Sequence, residues 1–286
     1  MGKGLREAPR DALIAESTDP QYIGKAFGIQ RAMDSIGGML GAVIALYFFP
    51  LFGYRNMFLL AAVPGFLAIF TIMFIQEARK ERANTRKRAN DRYAKPEISF
   101  WQGIKVLPPK LLAFIGISAI FALGNFGYAF LLLKIKNVGG SDGDALLYFV
   151  LFTAIDTLVS IPAGILSDKR GRKTILLISY ILFTGVAALL MMTSTMSWTI
   201  IAFVGFGMVY SILDGAQRAF VSELAPKEYR ATALGMFYTA IGIVALPGGY
   251  LLGTLRDTVS PARMFGFSTF VGLVAIVGVV SLRRKK

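Results

Sequence analysis

The chain has 286 residues, of which 55% are hydrophobic and 17% are charged, and its formal net charge is +14. A soluble domain carries about a quarter charged residues, so this composition argues against a soluble globular protein. The chain has no cysteine and no histidine, which excludes disulfide bonds and any metal site with Cys or His ligands. We therefore expect no metal and no cofactor, and any proton transfer must use carboxylates.

The apolar residues are gathered in eight long runs. A bilayer core requires about 20 apolar residues for each helical span, and none of the runs alternates with the two-residue period of a barrel strand. The sequence therefore predicts an all-α protein, a polytopic bundle of transmembrane helices. The predicted spans are 33–52, 56–75, 111–133, 145–166, 174–194, 198–217, 231–254 and 263–282.

The positive charges between these runs are distributed asymmetrically. If the N-terminus is placed in the cytoplasm, 26 of the 31 lysines and arginines fall on the cytoplasmic side and the other five fall outside. Such a bias is typical of membrane proteins, and it accounts for the net charge without a nucleic-acid partner. We predict an integral membrane protein that has the lipid bilayer as its surroundings and both termini in the cytoplasm.

One long polar stretch, 76–100, interrupts the apolar runs. We interpret segment 76–110 as a solvated cytoplasmic loop, although a polybasic run beside a span can also contact anionic lipid headgroups. The predicted organisation is the remainder of an N-terminal helical half in 1–75, the central loop, a C-terminal half in 111–282 and a basic tail in 283–286.

Two helix–turn–helix units in the chain are similar to each other. A spacing near 200 residues between such units predicts two similar halves, as in transporters built from parallel repeats; the alternative is chance similarity of two amphipathic turns. The C-terminal half has six spans, so we expect twelve in total, with about three and a half spans preceding Met1. The matching positions, each 207 residues apart, are Glu16 and Glu223, Tyr22 and Tyr229, Ala26 and Ala233, Gly28 and Gly235, and Gly41 and Gly248.

The turn after the fourth run has a specific motif. Segment 164–173 reads GILSDKRGRK and matches the pattern G-x-x-x-D-[RK]-x-G-R-[RK] at every fixed position. It resembles the signature loop of the major facilitator superfamily, which occurs between spans 2 and 3 and again between spans 8 and 9. Segments 2–16 and 31–34 resemble the corresponding regions of prokaryotic members related to drug-efflux permeases. The fixed positions are Gly164, Asp168, Gly171, Arg172 and Lys173.

This resemblance implies a fold and an activity. It implies the major facilitator fold, here with eight of twelve spans, and a monomeric secondary transporter in the plasma membrane of a prokaryotic cell. It also implies alternating access to a small-molecule substrate, with ion or proton coupling; both directions of transport, import and efflux, stay open. Segment 35–42 lacks the Gly-Pro pair that drug/proton antiporters often carry in span 5, which leaves antiport open.

The motif has a physical interpretation as a gating element on the cytoplasmic side. Gly164 and Gly171 permit a close helix approach and a tight turn. Asp168 can accept hydrogen bonds from Arg172 or from free N–H groups at a nearby helix start, and we expect water at the membrane rim to screen it. The resemblance implies a latch that must break for inward opening; the alternative is an ordinary basic loop with an Asp cap.

Asp156 is the strongest candidate for the substrate or proton pathway. It lies about 11 residues into its span, or about 16 Å deep, where an ionisable group is costly and suggests function. Thr153 and Ser160 share its helical face. If transport is coupled to protons, Asp156 is the expected carrier; the alternative is a structural hydrogen bond to a neighbouring span.

The remaining candidates are weaker. Asn125 lies in the middle of a span that lines the cavity in the family, and function and packing are both open for it. Asp214 and Arg218 are four residues apart near a helix end and predict an ion pair, and Arg31 with Asp34 is interpreted in the same way. Glu7 and Arg10, which precede the first full span, are expected to line the cavity in a complete N-terminal half.

Two other functional classes are alternatives to a transporter. The chain has no H-E-x-x-H motif and no nucleotide-binding loop G-x-x-x-x-G-K-[ST], which argues against a metalloprotease and an ATP-driven pump. We therefore predict that the protein is not an enzyme. A membrane-embedded enzyme of another kind and a non-transporting remnant stay as alternatives.

Overall fold

The structure is a computed structural model that describes residues 2–90 and 106–282. Within those ranges every regular element is a helix. The turns before α2 and α8 are single 3-10 turns, Pro20–Tyr22 and Lys227–Tyr229. The helices are α1 (Gly2–Ser17), α2 (Ile23–Asn90), α3 (Pro109–Gly124), α4 (Tyr128–Asn137), α5 (Asp142–Arg170), α6 (Arg172–Met192), α7 (Met196–Leu224), α8 (Arg230–Thr254) and α9 (Pro261–Ser281).

The chain divides into two units. One comprises 1–40 with 99–286, and the other comprises 41–98. In the second unit the backbone leaves helical geometry at Gly53, where φ is 64° and ψ is 179°. Gly53 lies where the sequence predicts a turn between two spans, and glycine adopts a positive φ without a steric penalty. Residues 91–105 of the expected central loop and the basic tail 283–286 lie outside the described residues.

Six helical segments among the described residues are long and apolar enough to cross a membrane. They coincide with the six runs predicted for the C-terminal half, to within a few residues at most ends. The two N-terminal runs, 33–52 and 56–75, both fall inside α2 and are not among these six, so eight spans stay a prediction. The six segments are Pro109–Asn137, Gly143–Arg170, Arg172–Met192, Met196–Leu224, Lys227–Val259 and Pro261–Ser281.

The first unit is held together by tight helix packing. Helix α6 packs against α7 and α9, α5 packs against α7, and α3 packs against α8 and α9. In lipid, van der Waals packing and interhelical hydrogen bonds hold helices together, because the bilayer is as apolar as the side chains. The ring of Phe126 lies 5.1 Å from those of Phe183, Phe206 and Phe265, so one aromatic side chain links the segment between α3 and α4 to three helices.

The span predicted as one run at 111–133 is interrupted. Residues 125–127 are not helical, and Phe126 N–H reaches only the carbonyl of Gly124, at 3.0 Å. Added at Gly124, a Cβ would lie 2.6 Å from the Cβ of Val271 on α9. The interruption therefore occurs where two helices approach closely and where Phe126 turns into the aromatic cluster, two features that hydropathy does not report.

Candidate functional site

Helices α2 and α5 cross with their backbones almost in contact. A Cβ added at Gly24 would lie 2.7 Å from the carbonyl oxygen of Gly164, and one added at Gly28 would lie 2.5 Å from that of Ser160. These distances leave no room for a Cβ, so a side chain at Gly24, Gly28 or Gly164 would push the two helices apart. The close approach expected of Gly164 is present, and it brings the motif turn against the start of α2.

Asp168 joins the two helices at this crossing. One of its carboxylate oxygens accepts a hydrogen bond from the backbone N–H of Gly24 and the other from that of Lys25, both at 2.8 Å. These are free N–H groups in the first turn of α2, where the helix dipole favours a negative charge. The Asp168 side chain is only 8% exposed, so the expected screening by water is wrong: the α2 start covers it.

Arg172 completes the arrangement around Asp168. Gly171 has φ of 91°, and this turn begins α6 so that Arg172 lies beside Asp168, with 3.4 Å between their charged atoms. The same guanidinium donates to the carbonyl of Pro20 at 2.7 Å and pairs with Glu223 at 3.3 Å. We call Asp168, Arg172 and the turn at Pro20 to Lys25 the latch; it ties the α1–α2 turn to α5, α6 and the end of α7.

A second set of contacts joins α2 to α5 deeper along the helices. Arg31 donates two hydrogen bonds to the carboxylate of Asp156, at 2.6 and 3.2 Å, and Ser35 donates a third at 2.5 Å. The guanidinium also lies 4.3 Å from the ring centre of Tyr210, a cation–π contact with α7. Asp156 is 1% exposed, so its charge is fully paired in this arrangement.

Arg218 forms the centre of an adjoining set of contacts. It pairs with Asp214 on its own helix, as the i,i+4 spacing predicts, and with Asp11 of α1 at 3.3 Å. Tyr238 of α8 donates its hydroxyl hydrogen to the same carboxylate of Asp11. Asp214 in turn lies 3.6 Å from Arg31. We call Asp11, Arg31, Asp156, Asp214 and Arg218 the charged layer. It joins α1 and α2 to α5 and α7, and Tyr238 connects it to α8.

Asp11 is the functional candidate that sequence reasoning missed. It is completely buried, whereas the candidates predicted on α1 are Glu7 and Arg10. A signal was available, because the repeat offset of 207 places Asp11 opposite Arg218, and these two residues contact each other. Tyr238 and Ser35, which bind the buried acids, had no comparable signal because hydroxyl groups are common in membrane helices.

Other contacts also follow the offset of 207. Arg230 donates to the carbonyl of Ala15 at 2.9 Å and to that of Ser222 at 3.1 Å, and these two acceptors are counterparts under the repeat. The superposition of the two helix–turn–helix units in this register stays a prediction.

The structure separates some of the predicted pairs. Arg31 and Asp34 are not partners: Arg31 faces Asp156 and Asp214, whereas Asp34 accepts a hydrogen bond from Gln30 and lies 3.7 Å from Arg10. A helical rotation of three residues places Arg31 and Asp34 on neighbouring but different sides of α2.

The last predicted residues are spread over the molecule. Asn125 lies at the interruption between α3 and α4, and its amide has no hydrogen-bond partner in the part of the chain that the structure describes. Glu7 is half-buried on α1. Lys173 donates to the carbonyls of Val280 and Leu282 and so fastens α6 to the end of α9. Among residues 2–90 and 106–282, no three acidic side chains converge as metal ligands.

Comparisons with known proteins give the relatives of this chain. The sequence profile of the Major Facilitator Superfamily matches residues 1–249 and residues 112–286. An uncharacterized MFS-type transporter of Methanocaldococcus jannaschii is 37% identical over 283 residues, covering 96% of this chain and 68% of the relative. A Bacillus subtilis protein, provisionally named a niacin/nicotinamide transporter, is 24% identical over 96% of this chain and 67% of its own length.

A solved structure shows the same fold. The crystal structure of the human organic anion transporter MFSD10 superposes with a TM-score of 0.67, over 95% of this chain and 67% of that protein. The sequence identity is 14%, so this similarity concerns the arrangement of helices and leaves substrate aside.

Proposed function

The chain belongs to the Major Facilitator Superfamily, a family of membrane transporters, and from that premise we propose that it is a secondary transporter that moves a small solute by alternating access. The observation that carries the proposal is the pair of contact sets, latch and charged layer, between α1–α2 and the helices of the C-terminal half. Alternation between two states requires contacts of this kind, because each state must be held by bonds that the other lacks.

The latch suits the role of a gate at one membrane face. A hydrogen bond to a charged group contributes about 1.5–3 kcal/mol, and Asp168 accepts two from the start of α2. Two states whose free energies differ by a few kcal/mol are enough for a ligand to change which one dominates. We therefore assign Asp168 and Arg172 the function of holding this face closed until substrate binding offsets their contacts.

The charged layer suits the role of a coupling element. When α2 and α5 separate, Asp156 loses Arg31 and Ser35, and an unpaired carboxylate inside a membrane is costly. A proton that binds Asp156 at that moment removes the charge and lowers the cost of separation. Proton binding to Asp156 would then accompany each opening, which makes it the coupling residue in a proton-driven cycle.

Several finer features belong to the same proposal. We infer twelve spans in two halves of six, the domain boundaries expected from the sequence, a monomer, and efflux by a drug-permease-like member of the family. We also infer a prokaryotic plasma membrane with the latch on the cytoplasmic face, supported by the distribution of lysine and arginine.

Labelling of single cysteines placed at Asn84 and Ser141 tests the orientation: only the second should react from outside an intact cell. No observation favours a membrane enzyme or a remnant.

Vesicle transport tests the proposed function. The protein, expressed from its complete gene and reconstituted, is screened for uptake and efflux of cationic drugs, sugars and metabolites with and without a proton gradient. We expect gradient-dependent movement of at least one class, and a flat pH profile or no transport for Asp156→Asn, which keeps the volume but cannot titrate. Transport by Asp156→Asn with the wild-type pH profile and affinity would show that Asp156 is structural.

A further inference from the structure

A groove of about 370 Å³ lies beside the latch, between the start of α2 and the end of α5. Its volume falls within the range of about 300–1,000 Å³ that is common for small-molecule sites. Asp168 of the latch forms part of one wall of the groove, and the ammonium groups of two lysines, an amide and a phenol lie around it. The walls are formed by Gln21, Tyr22, Lys25, Ile165, Asp168 and Lys169.

The groove presents positive charge. Lys25 comes from α2 and Lys169 from α5, and both are exposed, without an ion-pair partner among the residues that the structure describes. Asp168 does not offset them, because both its oxygens already accept backbone hydrogen bonds and Arg172 lies beside it. An anion that reaches the groove therefore meets two ammonium groups. The side-chain amide of Gln21 donates one hydrogen to Asp19 at 3.4 Å and has a second hydrogen left to donate.

Exposed apolar residues continue from each lysine along its helix. On α2, Ile29 is 39% exposed and Met33 is 60% exposed, at steps of four residues from Lys25, so the three share one face. On α5, Leu166 is 37% exposed and Leu158 is 70% exposed, on the face that ends at Lys169. Acyl chains of a lipid would lie along these faces, whereas a free anion would contact only the two ammonium groups.

We propose that the groove binds the phosphate headgroup of an anionic phospholipid, with its acyl chains along the apolar faces of α2 and α5. A headgroup between Lys25 and Lys169 bridges the same two helices that Asp168 joins, so the bound lipid stabilises the closed latch. This inference deepens the proposed function and rests on it for the regulatory effect, whereas the binding site can be tested without any transport assay.

Binding of a short-chain lipid to the purified protein tests the site. Dioctanoyl phosphatidylglycerol is titrated against the full protein in detergent, with dioctanoyl phosphatidylcholine and inorganic phosphate as separate arms. The phosphatidylglycerol is expected to bind most tightly and to raise the thermal denaturation midpoint. Each lysine near a membrane surface contributes about a fivefold gain in affinity for anionic lipid, so Lys25→Gln with Lys169→Gln should weaken binding by about 30-fold.

Two controls keep the test specific. Lys25→Arg with Lys169→Arg retains both charges and should bind like the wild type. Lys227→Gln removes an exposed lysine from the matching turn of the other repeat and should leave binding unchanged. Equal affinity for phosphatidylcholine, equal affinity for inorganic phosphate, or undiminished binding by the double Gln variant would each overturn the proposal. A positive result with a protein that moves no solute would retain the lipid site and reject the proposed transport function.

Discussion

The latch and the charged layer join the same two helices in chemically different ways. In the latch, Asp168 binds backbone N–H groups of α2; in the charged layer, Asp156 binds the side chains of Arg31 and Ser35. The two levels are about 10 Å apart along α2. Backbone donors are fixed by the helix and cannot be exchanged by mutation, whereas a side-chain partner can be. The two levels should therefore respond differently to loss and to reversal of charge.

The largest effect is expected from unpairing the charged layer. Arg31→Ala leaves Asp156 buried without its partner, and removing one member of a buried ion pair costs about 3–5 kcal/mol. Reversal of the pair, with Arg31→Asp and Asp156→Arg together, should recover part of this loss because both partners are side chains. The free energy of unfolding in detergent, measured by chemical denaturation for both single variants and the double, checks this.

An exposed pair provides the matched control. Asp257 pairs with Arg256 at 2.7 Å but is 67% exposed, so Asp257→Ala should cost no more than about 1 kcal/mol. Two results would show that the charged layer does not hold α2 to α5. One is that Arg31→Ala lowers the free energy of unfolding as little as this control does. The other is that the reversed pair is no more stable than the added losses of its two single variants predict.

A smaller loss is expected in the latch. Asp168→Asn keeps the size and one acceptor oxygen but removes the charge, and a hydrogen bond to a charged group is worth about 1.5–3 kcal/mol. Reversal with Asp168→Arg and Arg172→Asp should bring no recovery, because the partners of Asp168 are N–H groups. Chemical denaturation measures the free energy of unfolding of each variant. For Asp168→Asn, initial transport rates should fall while expression stays normal. Recovery by the reversed pair would mean that Arg172, not the backbone, is the main partner.

The smallest expected change concerns the helix crossing itself. Gly28→Ala places a Cβ about 2.5 Å from the carbonyl oxygen of Ser160, and such overpacking costs about 1–3 kcal/mol. The control is Gly38→Ala, since no atom lies within 4 Å of a Cβ at that position and alanine favours a helix by about 0.5–1 kcal/mol. The thermal denaturation midpoint should fall for Gly28→Ala and rise for Gly38→Ala. Shifts of both midpoints in the same direction would show that α2 and α5 are not in close contact.

The sequence was sufficient for features that depend on local composition. Long apolar runs identify the six segments of the C-terminal half because each must cross the bilayer core. The motif turn was equally accessible, since Gly171 acts through its own backbone conformation, with φ of 91°. The Asp214–Arg218 pair followed from spacing within one helix.

The rest depends on contacts between distant parts of the chain. Arg31 and Asp156 are 125 residues apart, and sequence reasoning favoured Asp34 because it lies closer along the helix. The exposure of Asp168 was misjudged because the α2 start that covers it is far away in the sequence. The interruption at 125–127 was missed because apolar content continues through it, although Gly124 precedes it and Gly127 is its last residue.

Cross-linking of α2 to α5 tests most directly the claim that their contacts must break during transport. The chain has no cysteine, so Gln21→Cys in the turn that leads into α2 and Lys169→Cys in α5, two positions on the same groove, can be joined by a reversible bifunctional thiol reagent. In vesicles, with a solute identified by the transport screen, we expect cross-linking to stop transport, reduction to restore it, and each single-cysteine variant to remain active after treatment. Transport at the wild-type rate by fully cross-linked protein would contradict the account.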